Sequence, residues 1–149
     1  MKTRTLLSVA VMAIALGPGS ARAAGPVNTN GAPLALGGYD VVAYFTEGKP
    51  VVGQAAHEAG WNGARWRFAS AEHRDRFLKE PERFAPRYGG YCAFAVSRGY
   101  TATVAPEAWR IVDGRLYLNY STDVQKLWEQ DIPGNVQKAD TSWPGVLAK

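Results

Sequence analysis

The feature that most constrains this chain is the run Tyr88-Gly89-Gly90-Tyr91-Cys92-Ala93-Phe94-Ala95-Val96-Ser97-Arg98-Gly99, which holds the only cysteine. Two consecutive glycines free the backbone for a turn, a short apolar helix follows, and Gly99 stands where a left-handed helix stop is wanted. The spacing predicts Cys92 in the first helical turn, where unpaired N–H groups and the positive end of the helix dipole favour a thiolate. Cys92 is therefore a candidate nucleophile or soft-metal ligand. The plainer reading packs it as a small apolar residue beside Phe94 and Val96, since free cysteines are among the most buried side chains.

The chain opens with Lys2 and Arg4, runs through an apolar segment from Leu6 to Leu16, and reaches Ala21-Arg22-Ala23, a small-x-small cleavage pattern. This reads as a signal peptide over residues 1–23, because the apolar run is far shorter than the roughly 20 residues that cross a bilayer. No stable membrane insertion is expected. Removing residues 1–23 takes three of the 17 basic residues and leaves 14 against 13 acidic ones. The mature chain is thus close to neutral and lacks the basic patch that nucleic-acid binding needs. One cysteine cannot form an internal disulfide, so in an oxidising compartment it must be shielded, bound to metal, paired with another molecule, or used.

Residues 24–37 are small, polar and rich in Gly, Pro and Asn, which reads as a flexible lead-in. Residues 38–149 then form one domain, with five tryptophans, seven tyrosines and five phenylalanines in the whole chain to supply a core. Asp40 is placed to cap a turn through Val41, Val42, Tyr44 and Phe45, and it is also a candidate carboxylate ligand beside Tyr39. Asn62-Gly63 predicts a hairpin joining Ala59–Trp61 to Ala64–Phe68, with Trp66 and Phe68 on its core face. His57 and Glu58 lie on the first of these strands. Ser70 caps a predicted helix over Ala71–Lys79, with Phe77, Leu78 and then Phe84 as buried anchors. His73 sits in its first turn, as a surface residue or a ligand.

Asp113-Gly114 predicts a second hairpin, between Glu107–Val112 and Arg115–Tyr120. Thr122 with Gln125 reads as a capping box for a helix whose Val124, Leu127 and Trp128 make an apolar stripe. Asn135 starts a last short helix, ended by Trp143-Pro144. No internal repeat is read from the sequence. The expected fold class is α+β: a small single domain of short antiparallel hairpins packed with three or four short helices. Phosphate-loop, Gly-x-Gly-x-x-Gly, Gly-x-Ser-x-Gly and Cys-x-x-Cys motifs are absent, so nucleotide-binding, hydrolase and thioredoxin-type activities have no motif behind them.

Gly38-Tyr39-Asp40-Val41-Val42-Ala43-Tyr44-Phe45, Trp66-Arg67-Phe68-Ala69-Ser70, Phe77, Pro81, Tyr88-Gly89-Gly90-Tyr91-Cys92-Ala93 and Asp113-Gly114-Arg115-Leu116-Tyr117-Leu118-Asn119-Tyr120 together resemble the exported branch of the YHS-domain family, over nearly all of residues 37–147. The resemblance implies a small α+β domain exported to a bacterial periplasm and a role in handling metal ions. It also implies sulfur or selenium chemistry at Cys92, where some relatives in this branch carry selenocysteine. The cysteine-rich branch of the family takes ligands from an Asp-Pro-Val-Cys run and a Phe-Cys-Ser-x-x-Cys run. At the matching positions this chain has Ala43, Ala69 and His73, so the thiolate site of that branch is missing.

Three functions follow as expectations. The first is binding or handling of copper or zinc, centred on a Cys92 thiolate with one or more of His73, His57 and Asp40, and with no organic cofactor. The second is a thiol redox protein in which Cys92 passes through a sulfenate or mixed disulfide. That route needs another periplasmic thiol protein to resolve it, and Tyr39, Tyr88 or Tyr91 could supply a hydroxyl beside the sulfur. The third is a non-catalytic module whose aromatics enclose a small ligand or a protein partner, with Cys92 merely packed. No residue commits the chain to catalysis.

Overall fold

The computed structural model describes residues 24–29 and 32–149. The expected signal peptide over residues 1–23 lies outside the described residues. Local sequence signals build most of the elements. Asp40 caps α1 (Val41–Thr46), and the two positive-φ pairs Asn62-Gly63 (50° and 77°) and Asp113-Gly114 (51° and 73°) close two hairpins. The first hairpin pairs β1 (Gln54–Trp61) with β2 (Ala64–Phe68), and the second pairs β3 (Trp109–Val112) with β4 (Arg115–Leu118), both antiparallel. Ser70 caps α2 (Ala71–Lys79), which is followed by α3 (Pro81–Phe84). The helix after the central glycines is α4 (Ala93–Ser97), and α5 (Thr122–Glu129) and α6 (Ile132–Leu147) complete the order. The protein is a small α+β domain, with six α-helices among the described residues where three or four were expected.

Two hydrophobic clusters meet at β4. Trp66, Phe68, Phe77, Phe84, Tyr44, Leu116 and Leu118 belong to the first, and Tyr88, Ala93, Val96, Tyr117, Trp128 and Ala139 to the second. Leu116 and Leu118 leave one face of β4 and Tyr117 leaves the other, so this strand is buried on both faces. Burying a side chain of this size contributes about 1.5–3 kcal/mol. Leu78 departs from expectation: it is 52% exposed, because α2 turns Phe77 inward and leaves its neighbour outside.

Helix ends also differ from the sequence reading. Ser121, one residue before Thr122, caps α5 by accepting Val124 N at 3.1 Å, and Gln125 Nε2 instead donates to Trp109 O at 2.9 Å. The last helix starts earlier and runs through Pro144. Asp131 caps it by accepting Gly134 N at 3.0 Å, and Pro133 is tolerated in a first turn that needs no N–H from it.

The expectation of a flexible lead-in is corrected at residues 26–28 and 32–37. Val27 and Asn28 are buried. Asn28 N donates to Gly89 O at 2.8 Å, its Nδ2 to Gly90 O at 3.1 Å, and its carbonyl accepts Leu36 N at 3.0 Å. A Cβ at Gly89 would run into the Pro26 carbonyl, so this clasp requires glycine there.

The expectation of no internal repeat is corrected as well. Leu36-Gly37-Gly38-Tyr39-Asp40 and Tyr88-Gly89-Gly90-Tyr91-Cys92 follow the same backbone path, with φ/ψ of 52°/33° at Leu36 against 57°/38° at Tyr88, and 62°/17° at Gly37 against 62°/13° at Gly89. Each run ends in the cap of a short helix, and each helix is followed by a hairpin, a serine cap and a second helix with one fully buried aromatic, Phe77 or Trp128. Asp40 N donates to Val51 O at 2.8 Å, and Cys92 N to Ala102 O at 3.0 Å. Matched positions lie 52 residues apart at Asp40/Cys92 and 51 apart from Val51/Ala102 through Phe77/Trp128. The chain is one turn–helix–hairpin–helix unit used twice.

Candidate functional site

Two polar centres sit at equivalent places in the repeat. In the first, the helix cap and the hairpin exit converge on Asp40, whose carboxylate is fully buried. Oδ1 accepts Val42 N at 2.9 Å and Ala43 N at 3.2 Å, and Oδ2 accepts Ala69 N at 2.8 Å. His73 completes the set with Nδ1 at 2.6 Å from Oδ2. The Ser70 cap accepts His73 N at 3.1 Å and so aims the first turn of α2 at α1. Since Asp40 acts here as an acceptor, Nδ1 carries the imidazole proton and Nε2 is the other ring atom, 3.3 Å from Thr46 Oγ1. The His73 side chain keeps 12% of its surface exposed. A buried carboxylate behind an imidazole fixes the ring's tautomer and orientation.

In the second centre Cys92 stands where the first has Asp40. It is the N-cap residue of α4, one position earlier than the sequence spacing predicts, and it is 1% exposed. Tyr120 N donates to Sγ at 3.3 Å, as Ala69 N donates to Asp40. The thiol donates to Asn119 Oδ1 at 3.6 Å, and that oxygen also accepts Phe94 N at 3.1 Å. Sulfur and amide oxygen together do what the two oxygens of Asp40 do. The Asn119 Nδ2 group is fully buried and has no partner among the described residues. At the position matching His73 the second unit carries Val124, so its centre has no imidazole.

The remaining candidates are dispersed. His57 is half-buried in the irregular stretch of β1 between Gln54 and Glu58, and it makes no hydrogen bond or ion pair among the described residues. Tyr88 Oη donates to Asp140 Oδ1 at 2.8 Å, and burial, with the Asp140 charge beside it, pushes its phenol well above the usual range. Tyr91 Oη donates to Gly25 O at 3.1 Å, and burial raises that phenol too. Tyr39 lines a cavity of about 160 Å3 with Tyr44 and Asn28, at the junction of the two units. Neither the Tyr88 nor the Tyr91 hydroxyl bonds Cys92. Of Cys92, His73, His57 and Asp40, expected as a centre of Cys92 with one or more of the others, Asp40 and His73 pair, and no group of three or more His, Cys, Asp or Glu that could hold a metal ion exists among the described residues.

Sequence reasoning missed Asn119 and Asp140. Asn119 ends an apolar alternation, Leu116-Tyr117-Leu118, where a residue able to enter the core was due, and that was the available signal. Asp140 gave none, because its partners Arg87 and Tyr88 lie more than 50 residues away. Among the described residues no helix is long and apolar enough to cross a membrane. No protein family, no curated protein and no solved structure matches this chain.

Proposed function

We propose that this is an exported protein of the YHS type that handles copper or zinc, with His73 Nε2 as the ligand atom it offers. The observation that carries the reading is the 2.6 Å bond from His73 Nδ1 to the buried Asp40 carboxylate, the arrangement that orients a ligating imidazole from behind. The resemblance adds to it, since His73 falls where the cysteine-rich branch has a ligand. One imidazole supplies one of the four positions zinc prefers, so the ion is held loosely and the other ligands come from water or from the molecule that delivers or receives it. Bound there, the ion would supply Lewis acidity or a transferable charge, and Asp40 would hold the imidazole in place. Calorimetric titration with Zn(II) and Cu(I) tests this: weak binding of one ion that His73→Gln abolishes and Cys92→Ser leaves intact is expected. Binding that survives His73→Gln overturns it, and binding lost only in Cys92→Ser moves the centre to the thiol.

A second reading, thiol redox chemistry, is favoured by one observation. The unpartnered Asn119 Nδ2 beside Cys92 is a spare donor for an oxygen carried on the sulfur. It requires Cys92 to become accessible, which can be measured directly.

A further inference from the structure

A cleft of about 470 Å3 opens between the end of β1, the turn after α3, the start of β4 and the last turns of α6, within the roughly 300–1,000 Å3 usual for small-molecule sites. Trp61 and Trp143 form its apolar walls and also line an adjoining cavity of about 160 Å3. Both indoles are packed against other rings: the Trp61 ring centroid lies 5.8 Å from that of Trp66 and 5.7 Å from that of Phe77, and the Trp143 centroid lies 6.0 Å from those of Tyr88 and Tyr91. Both remain partly exposed, and neither indole N–H has a hydrogen-bond partner among the described residues. Partly exposed rings that neighbouring rings hold at a cleft wall are preorganised for a ligand.

The polar lining narrows the ligand class. Arg87 is engaged by Asp140 at 2.9 Å, through the same Oδ1 that accepts Tyr88, which leaves Oδ2 without a bond among the described residues. Arg115 donates Nη1 to a backbone oxygen, Glu82 O, at 3.2 Å and meets no carboxylate in an ion pair among the described residues. Arg87 is thus balanced by Asp140, while Arg115 keeps N–H donors to spare and Asp140 Oδ2 is a spare acceptor. A ligand whose groups both donate and accept can use the spare donors of Arg115 and the spare oxygen of Asp140 together, whereas a purely apolar ligand would desolvate them without replacing their bonds. A ring with one C–H face for the indoles and an edge of hydroxyls, each able to donate and accept, satisfies both walls.

We propose that this cleft binds a neutral carbohydrate, with a pyranose ring against Trp61 and Trp143 and its hydroxyls reaching Arg115 and Asp140. The site is separate from the Asp40–His73 pair and does not depend on the metal reading. The test is to follow the indole 15N–1H resonances of the whole mature chain during titration with maltose, cellobiose and chitobiose. Saturable shifts of Trp61 and Trp143 with at least one sugar are expected, with the buried Trp66 and Trp128 unmoved. Trp143→Ala should weaken binding by about tenfold or more. Arg115→Gln, on an exposed side chain outside the core, should also weaken it and keeps the test valid if the tryptophan variant fails to fold. Shifts with galacturonate but with no neutral sugar would make this an anion site and overturn the proposal. It is equally overturned if none of the three sugars gives a saturable shift, or if Arg115→Gln binds as well as the parent.

Discussion

The Asp40 carboxylate, itself out of contact with solvent, gathers three backbone N–H groups and an imidazole, and Cys92 meets the corresponding demand in the second unit with a softer atom. A thiol in this position accepts one N–H and gives its proton to Asn119, so it is tied on both sides before any reagent arrives. Reactivity then requires opening. We expect alkylation of Cys92 in the folded protein to run roughly a thousandfold slower than in denaturant, tracking the population of the opened chain. Thiol counting with time across denaturant concentration checks this. Rapid modification in buffer would support the redox reading. Asp40 and His73 were each legible as candidates, from a cap signal and a first-turn histidine. Their union was not, because it depends on α1 packing across α2 and joins positions 33 residues apart.

Caps and turns are the elements that sequence specifies most directly, since Ser70, Asp40, Asn62-Gly63 and Asp113-Gly114 act on neighbours within a few residues. The start of α6 was harder to see because Asp131 and Asn135 are both cap-forming types four residues apart, and only tertiary contacts choose between them. Asn135 in fact spends its side chain on Trp128 O, at 2.9 Å, inside the helix. Two glycines show how strongly the element decides the effect of one methyl group. Gly145 lies in α6 with open space where a Cβ would go, so Gly145→Ala should stabilise by about 0.5–1 kcal/mol through the lower entropy of the unfolded chain. Gly89 lies at positive φ under the Pro26 carbonyl, and Gly89→Ala should destabilise by about 2 kcal/mol or more. Denaturant midpoints of the two variants against the parent check both signs.

Across the whole molecule, the repeat escaped the sequence because its two copies share few residues beyond Gly-Gly-Tyr and the serine caps. One lost position in the short helix also moves the matched spacing from 52 to 51. What is conserved between the copies is backbone geometry, and side chains report that only indirectly. The joined cores have a collective consequence for pH. Tyr44, Tyr88, Tyr91 and Tyr117 all have phenols raised above the ordinary value, chiefly by burial. Below about pH 10 both folded and unfolded chains keep these protons and the full stability is present. Above that, the unfolded chain ionises first, so unfolding free energy should fall steadily with further alkalinity, and Tyr88→Phe should flatten the slope. Phenolate absorbance recorded with thermal melts from pH 9 upward measures it.

The Asn28 clasp also bears on the order of events while the chain is being made. Asn28 leaves the ribosome 62 residues ahead of Gly90, the carbonyl that its side chain holds. For all that time the first unit can settle its turn, its hairpin and its buried carboxylate, while Asn28 N and Nδ2 have no Gly89 or Gly90 carbonyl to hold. Only when the second Gly-Gly turn arrives can the beginning of the chain be pinned between the two halves. The segment around Asn28 is therefore fixed by the same event that joins the second unit to the first.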